Sequence, residues 1–205
     1  MGLYERYCAP HLTNCLCGVG AIHKQRSMVV PKAKGKVLEI GMGSGLNLSH
    51  YDQSQVDFIW GLEPNEGMRR KALPNIAASP IEVKWLGLPS EQIPLADNAA
   101  DTVLLTYTLC SIDGWLQALG EMRRVLKPEG TLLFCEHGLA SDENVQKWQQ
   151  RLNPIWHSIT AGCSLIRNVP ECLEQGGFKI QELNTGFIKG PKIATFNYWG
   201  SAGIG

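Results

Sequence analysis

The stretch Val37-Leu-Glu-Ile-Gly-Met-Gly-Ser-Gly-Leu46 constrains this chain more than any other. A short apolar run stops at Gly41, and the alternating glycines Gly41, Gly43 and Gly45 lead into a helix expected to begin near Leu46. Glycines in that pattern let the backbone turn tightly and approach a ligand closely. Ligands of open parallel sheets bind just beyond the carboxyl ends of the strands. Two rival loops are excluded by spacing. A phosphate-cradling loop needs G-x-x-x-x-G-K-[ST], and no lysine follows Gly45; a dinucleotide loop needs G-x-G-x-x-G, and position 46 is Leu. Glu39, two residues before the first glycine, sits poorly beside a pyrophosphate. It suits a cationic ligand, and a sulfonium bearing an amino group is one.

Downstream, apolar runs alternate with helical periodicity. The first strand is read at 36–40 and further strands at 56–62, 81–86, 101–106 and 130–135, with two terminal strands around Phe178–Ile180 and Ile193–Trp199. A helix is expected from Pro64 to about Ala77, because proline is tolerated in the first helical turn. Trp115, Leu116, Leu119, Met122, Val125 and Leu126 recur at helical spacing and form one apolar face. Strands alternating with helices of this length predict an α/β fold. The expected architecture is a Rossmann-like doubly wound sheet of seven strands, mostly parallel with the last strand antiparallel. Pro154 is read as interrupting a further helical region. The chain reads as one domain over 1–205, with a helical lid over 1–30 and a helical insert at 138–170 beside the substrate pocket.

Charge narrows the function. Nineteen Lys+Arg balance nineteen Asp+Glu, which lacks the basic footprint of a nucleic-acid binder. No apolar run approaches the ~20 residues that cross a bilayer, and Met1–Pro10 does not resemble a secretory signal. The expectation is a cytoplasmic chain without a transmembrane segment, acting on a small molecule. Seven cysteines, with Cys110 and Cys135 in apolar surroundings, read as free thiols of a reducing compartment. Cys15 and Cys17 have no second pair or neighbouring histidine to complete a zinc site, and no metal is expected.

The second strand ends at Glu63, just before Pro64. A carboxylate there can accept hydrogen bonds from the two ribose hydroxyls of an adenosine cofactor. The loop after the third strand, Leu86-Gly-Leu-Pro-Ser-Glu-Gln92, is where adenine would be gripped.

With these residues in place, the chain resembles the class I S-adenosylmethionine-dependent methyltransferases, in the subgroup of ubiquinone-biosynthesis C-methyltransferases. LEIGMGSG, GLEPNEGM, IPLADNAADTV and ALGEMRRVLKPEGTLLF carry the resemblance, which spans Val37 to about Cys135. It implies S-adenosyl-L-methionine as cofactor, with Glu39 and Gly41 at its methionine end, Glu63 at the ribose, and Ser90 and Glu91 at the adenine. Pro89 replaces the family's usual Asp. Thr106 lies after the fourth strand, where the family places reacting groups. The N-methylating Asn/Asp-Pro-Pro-Tyr motif is missing there, which disfavours DNA or protein amines. A narrower resemblance, through LCS at 109–111, CEHG at 135–138, WQQRLNPIWHSITAGCSLIR at 148–167 and GF at 177–178, is to a branch containing alkyl thiol methyltransferases. It implies a small apolar acceptor, a thiol first. A C- or O-methyltransferase on a quinone or lipid-like ring is the alternative, and a non-catalytic binder of the cofactor a third reading.

His137, at the carboxyl end of the fifth strand, is the candidate general base. Cys110 is read as an inert thiol lining the substrate pocket. His157 and Arg167 are expected in its wall, and Trp148, Trp156 and Trp199 are candidates for an apolar lining.

Overall fold

The structure is a computed structural model describing residues 19–160 and 162–204. Seven strands form one sheet: β1 (Gly35–Ile40), β2 (Val56–Leu62), β3 (Val83–Leu86), β4 (Ala100–Thr106), β5 (Leu126–His137), β6 (Phe178–Phe187) and β7 (Phe196–Ile204). Their order is β3-β2-β1-β4-β5-β7-β6, with β7 antiparallel to both neighbours and every other pairing parallel. The expected architecture is therefore present. The strand order reverses between β1 and β4, from which the chain builds outward first to one side and then to the other, and this is the switch point where open α/β sheets place their ligands.

Alternation along the strands sorts side chains between two cores. Leu38, Ile40, Val103, Leu105, Leu132 and Phe134 face helices α3 (Trp115–Val125) and α5 (Val169–Gln175). Val37, Leu104, Leu133 and Cys135 face the opposite way, toward Val29 at the end of α1 (Gly20–Val29). The same period puts Glu39 on the α1 side of β1.

Three local expectations are corrected. The helix after the second strand, α2 (Glu66–Ala78), starts beyond Pro64, because the Asn65 side chain caps it by accepting from the Met68 N–H. No α-helix begins near Leu46. Gly41, Gly43 and Gly45 all hold positive φ, at 62°, 58° and 76°, and the chain passes through turns into a short 3-10 segment, Leu48–His50. That loop ends on Asn47, whose side chain is committed to three buried partners described below. Pro154 does not interrupt its helix: α4 runs through it from Glu143 to Ile159, capped by Asp142. Proline removes one helical hydrogen bond, but Pro154 and Gln150 lie on the exposed face, where water can satisfy the freed carbonyl.

On its buried side α4 presents Gln149. Its amide accepts from the Ala140 N–H at 2.9 Å and donates to the carbonyls of Gly138 and Ile193, both at 3.0 Å. One side chain thereby ties the exit of β5 to the connection between β6 and β7. Of the lid expected over 1–30, residues 1–18, which include Cys15 and Cys17, lie outside the described residues. Among the described residues no helix is long and apolar enough to cross a membrane.

Candidate functional site

The strand ends at the switch point deliver the predicted cofactor residues to one edge. At Gly41 a Cβ would stand 2.4 Å from Thr108 Cγ2 and Oγ1. Thr108 is held there by donating to the Ile40 carbonyl at 3.2 Å. The β1 loop and the turn after β4 thus close on each other, with backbone as the only filler. Gly43 donates its N–H to Glu63 Oε2 at 3.0 Å, and Asn65 donates to Oε1 at 2.8 Å. Burial raises the Glu63 pKa, against these two donors. Each oxygen keeps a further lone pair, so the carboxylate braces the loop and can still accept from hydroxyls.

Glu39 is differently placed from the expectation. It is 1% exposed, and both oxygens are taken, by Tyr51 Oη at 2.7 Å and Asn47 Nδ2 at 2.9 Å. Asn47 Oδ1 in turn accepts from Arg26 at 2.6 Å. Thr106 Oγ1 lies 2.9 Å from both Arg26 Nη1 and Asn47 Nδ2, accepting from each. Glu39 and Thr106 therefore act on the loop through Asn47 rather than from an open surface. Burial raises the Glu39 pKa, opposed by Tyr51, Asn47 and the Arg26 charge. Ser90 is buried and its hydroxyl donates to Glu91 at 3.3 Å, while Pro64 is exposed beside the Glu63 carboxylate.

Beyond the switch point lies a cavity of about 740 Å³. The first residues of α1, from Gly20 to Ile22, cover one side, and the β6–β7 connection from Ile188 covers another. Its polar floor is made by Tyr107, Cys110, His137, Cys163 and Asn197, beside Trp156. Tyr107 holds a φ of 52°, rare for a bulky residue. Its hydroxyl donates to Asn197 Oδ1 at 2.6 Å, and the Arg26 guanidinium sits 5.3 Å from its ring centre. The strained tyrosine is thus clamped from two sides, at the junction of cofactor loop and cavity.

His137 Nε2 lies 3.1 Å from Cys163 Sγ, and Cys163 shares a hydrogen bond of 3.5 Å with Cys110 Sγ. The Trp156 N–H donates to the same Cys163 sulfur at 3.4 Å. The Cys163 pKa is held far below its ordinary value, first by the bond from Cys110 and then, against burial, by His137. Cys110 is correspondingly pushed up by that bond and by burial. Burial alone would lower His137, but the Cys163 sulfur holds it above its ordinary value.

Glu136, on the opposite face of β5, accepts from the N–H groups of Thr108 and Leu109 at 2.7 and 3.2 Å. Its other oxygen has no partner among the described residues, and burial pushes its pKa up to about 7.

Two pocket expectations fail. His157 is exposed on α4 and does not line the cavity, because the helical turn rotates it away from its inward neighbour Trp156. Arg167 is drawn elsewhere: it donates to the Ile112 carbonyl at 3.2 Å and stacks 5.7 Å from the Trp115 ring. Of the tryptophans, only Trp156 lines the cavity; Trp148 is exposed and Trp199 packs on the α1-side core. Sequence reasoning missed Arg26, Asn47, Asn197 and Cys163. A count of thiols and imidazoles flags Cys163, which stands 26 residues from His137, but no local motif joins them.

Residues 38–134 match the family model described as "Methyltransferase domain". The human thiol S-methyltransferase TMT1A is 31% identical over 152 residues, covering 72% of this chain and 62% of its own length. The ubiquinone/menaquinone biosynthesis C-methyltransferase UbiE of Paraburkholderia xenovorans is 35% identical over 103 residues, covering 49% of this chain and 42% of its own. This chain thus spans about three fifths of the human relative. A solved SAM-dependent methyltransferase from Leishmania major shares the fold, with a TM-score of 0.70 and 13% identity over 97% of this chain and 80% of that one. Through its strand-end loops and the matched residues 38–134, the chain carries a methyltransferase domain of the S-adenosylmethionine-dependent kind.

Proposed function

We propose that the chain transfers the methyl group of S-adenosyl-L-methionine to a small apolar thiol. The observation that carries this reading is the cavity floor, where the Cys163 sulfur and the His137 imidazole lie 3.1 Å apart in a mostly apolar cavity. The human relative's name, a thiol S-methyltransferase, supports it. The glycine cradle and the remaining lone pairs of Glu63 fit an adenosine cofactor: a Cβ at Gly41 would fill the space that Thr108 already bounds. When bound, the cofactor supplies an activated methyl group on a sulfonium.

The chain's own residues have three tasks. Glu63 accepts from the ribose hydroxyls while bracing Gly43. Tyr107, clamped by Asn197 and Arg26, separates the cofactor edge from the acceptor cavity. His137 stabilises the acceptor as a thiolate: an ordinary thiol has a pKa of about 8.5, and a cation in a poorly solvated cavity favours its charged form. The acceptor proton passes to His137, which later returns it to solvent, and the acceptor sulfur lies beside the resulting imidazolium. Little more is needed from the protein, since alignment and exclusion of water supply most of the rate.

Two measurements test this. A panel of alkyl thiols, phenols and amines, read by mass spectrometry, should give thioethers and no other product; turnover confined to phenols would replace the thiol reading with the ring-acceptor one. His137→Gln should lower kcat/KM for a thiol by about a hundredfold or more, leaving the cofactor affinity by calorimetry within about twofold. Unchanged turnover would remove His137 from the mechanism.

A further inference from the structure

We propose that Cys110, His137 and Cys163 form a site for a thiophilic divalent metal, zinc by its ligand chemistry, whose open fourth position faces the acceptor cavity. The inference deepens the thiol reading and rests on it for the identity of the fourth ligand.

Among the described residues these three place their Sγ, Nε2 and Sγ atoms within 4.8 Å of one another. Tetrahedral zinc, with Zn–S of about 2.3 Å and Zn–N of about 2.0 Å, sets its S···S edge near about 3.8 Å and its S···N edge near about 3.5 Å. The observed separations are 3.5 Å between the sulfurs and 3.1 Å between Cys163 and His137. On these two edges a metal needs the ligands to spread by a few tenths of an ångström, and the Cys110–His137 edge lies within 4.8 Å.

The ligands stand on anchored backbone. Cys110 lies in the 3-10 turn after β4 and His137 is the last residue of β5. Cys163 comes from the insert, but the Ser164 N–H donates to the Cys110 carbonyl at 2.9 Å and the Leu165 N–H to Asn153 Oδ1 at 2.7 Å. Binding would order little that is not already ordered. The Trp156 N–H on Cys163 Sγ supplies an outer-shell donor of the kind that fixes a metal thiolate.

The donor set also selects the ion. Two thiolates and an imidazole suit zinc and exclude the hard, oxygen-seeking cations. Two cysteines and one histidine are the ligand set of a catalytic zinc that keeps its fourth position open. All three residues line the cavity, so the open position is reached from the acceptor side. Metal binding would displace the Cys110 thiol proton as well as the one between Cys163 and His137, since such ligands bind deprotonated.

The consequence for the reaction is balanced. An acceptor thiol binding the fourth position loses its proton to solvent and becomes a metal thiolate. Two cysteine thiolates cancel the metal's charge, so the acceptor thiolate keeps its own and remains nucleophilic. Its sulfur forms the new S–CH3 bond as the sulfonium–methyl bond breaks. The electron pair of that bond stays on the cofactor sulfur, leaving a neutral thioether, and the methylated acceptor, now a weak ligand, departs.

The test uses the full chain, stripped with a chelator, reduced with a phosphine that binds no metal, and titrated with cobalt(II) as a spectroscopic probe. One equivalent per chain should produce tetrahedral cobalt absorption with a sulfur-to-cobalt charge-transfer band, and added butanethiol should shift that band. The Cys110→Ser/Cys163→Ser double variant should lose the band and bind cobalt at least about a hundredfold more weakly. His137→Gln, which spares both thiols, should also weaken binding while retaining the sulfur band. Absence of the band in the parent chain overturns the proposal. So does its persistence in the double variant, which would assign it to Cys8, Cys15 or Cys17. Thiol methylation measured in parallel separates this proposal from the one beneath it. Full thiol turnover by metal-free chain overturns the metal site and leaves the thiol reading standing. A cobalt band in a chain that methylates no thiol supports the site and overturns that reading.

Discussion

Gly41→Ala should abolish cofactor binding at concentrations about a hundredfold above those that saturate the parent chain, and should lower the melting temperature by roughly 10 °C. Two costs combine. A φ of 62° is strained for any residue with a Cβ, at about 1–2 kcal/mol. The added atom would also stand 2.4 Å from Thr108, which is itself tethered to the Ile40 carbonyl. Relief requires Thr108 or the loop to withdraw, and either opens the junction of β1 and β4. A total near about 3 kcal/mol corresponds to roughly 6–12 °C in a domain of this size. Calorimetry with S-adenosyl-L-methionine and thermal unfolding measure the two parts. Adding Thr108→Ala to the variant should recover part of the stability, because it removes both clashing atoms. Parent-like cofactor affinity in Gly41→Ala would show that this loop is not the cradle.

Arg26→Met should cost about 3–5 kcal/mol, the range for removing one partner of a buried charge network. Arg26 is buried, donates to Asn47 and Thr106, and lies over Tyr107. Through Asn47 its charge offsets that of Glu39, which it does not touch. The loss should also depend on pH. The folded-state pKa of Glu39 is already raised by burial, so the folded chain holds that proton more tightly than the unfolded one. Stability linked to Glu39 is therefore full below its unfolded pKa and declines as pH rises through the folded value. Without Arg26 the folded pKa rises further and the decline extends to higher pH. Urea unfolding at pH 5 and pH 8 should show the larger deficit at pH 8; an equal deficit would remove the Arg26–Glu39 coupling. Thiol turnover should fall as well, because Tyr107 loses one side of its clamp.

The sheet could be read from the sequence because its central strands are short apolar runs between glycines and polar turns, and burial on both faces demands that composition. The same rule hid most of β6. Gln181–Thr185 is polar, since β6 is an edge strand paired only with β7. The glycine loop was recognisable by spacing, while its continuation was not. Whether a helix follows Gly45 depends on Asn47 being captured by Glu39, Arg26 and Thr106, a contact made through a distant helix. Cofactor residues follow strand ends and so have an address in the sequence. Cys163 has none, being brought to His137 by a fold-back of the insert that no periodicity announces. His157 and Arg167 were misplaced for a related reason: adjacency to Trp156 or to the insert says nothing about helical rotation or about the pull of the Ile112 carbonyl.

The reversed direction of β7 has an evolutionary consequence. Because this strand enters the sheet at the edge where β5 leaves it, the turn from β6 hangs over the acceptor cavity, while Gly41, Gly43 and Glu63 follow β1 and β2 on the other side of the switch point. Residues 188–195 can lengthen, shorten or change character without breaking a rung of the parallel ladder. Selection can thus exchange one acceptor for another by editing a single hairpin tip, while the half of the molecule that recognises the methyl donor is inherited unchanged.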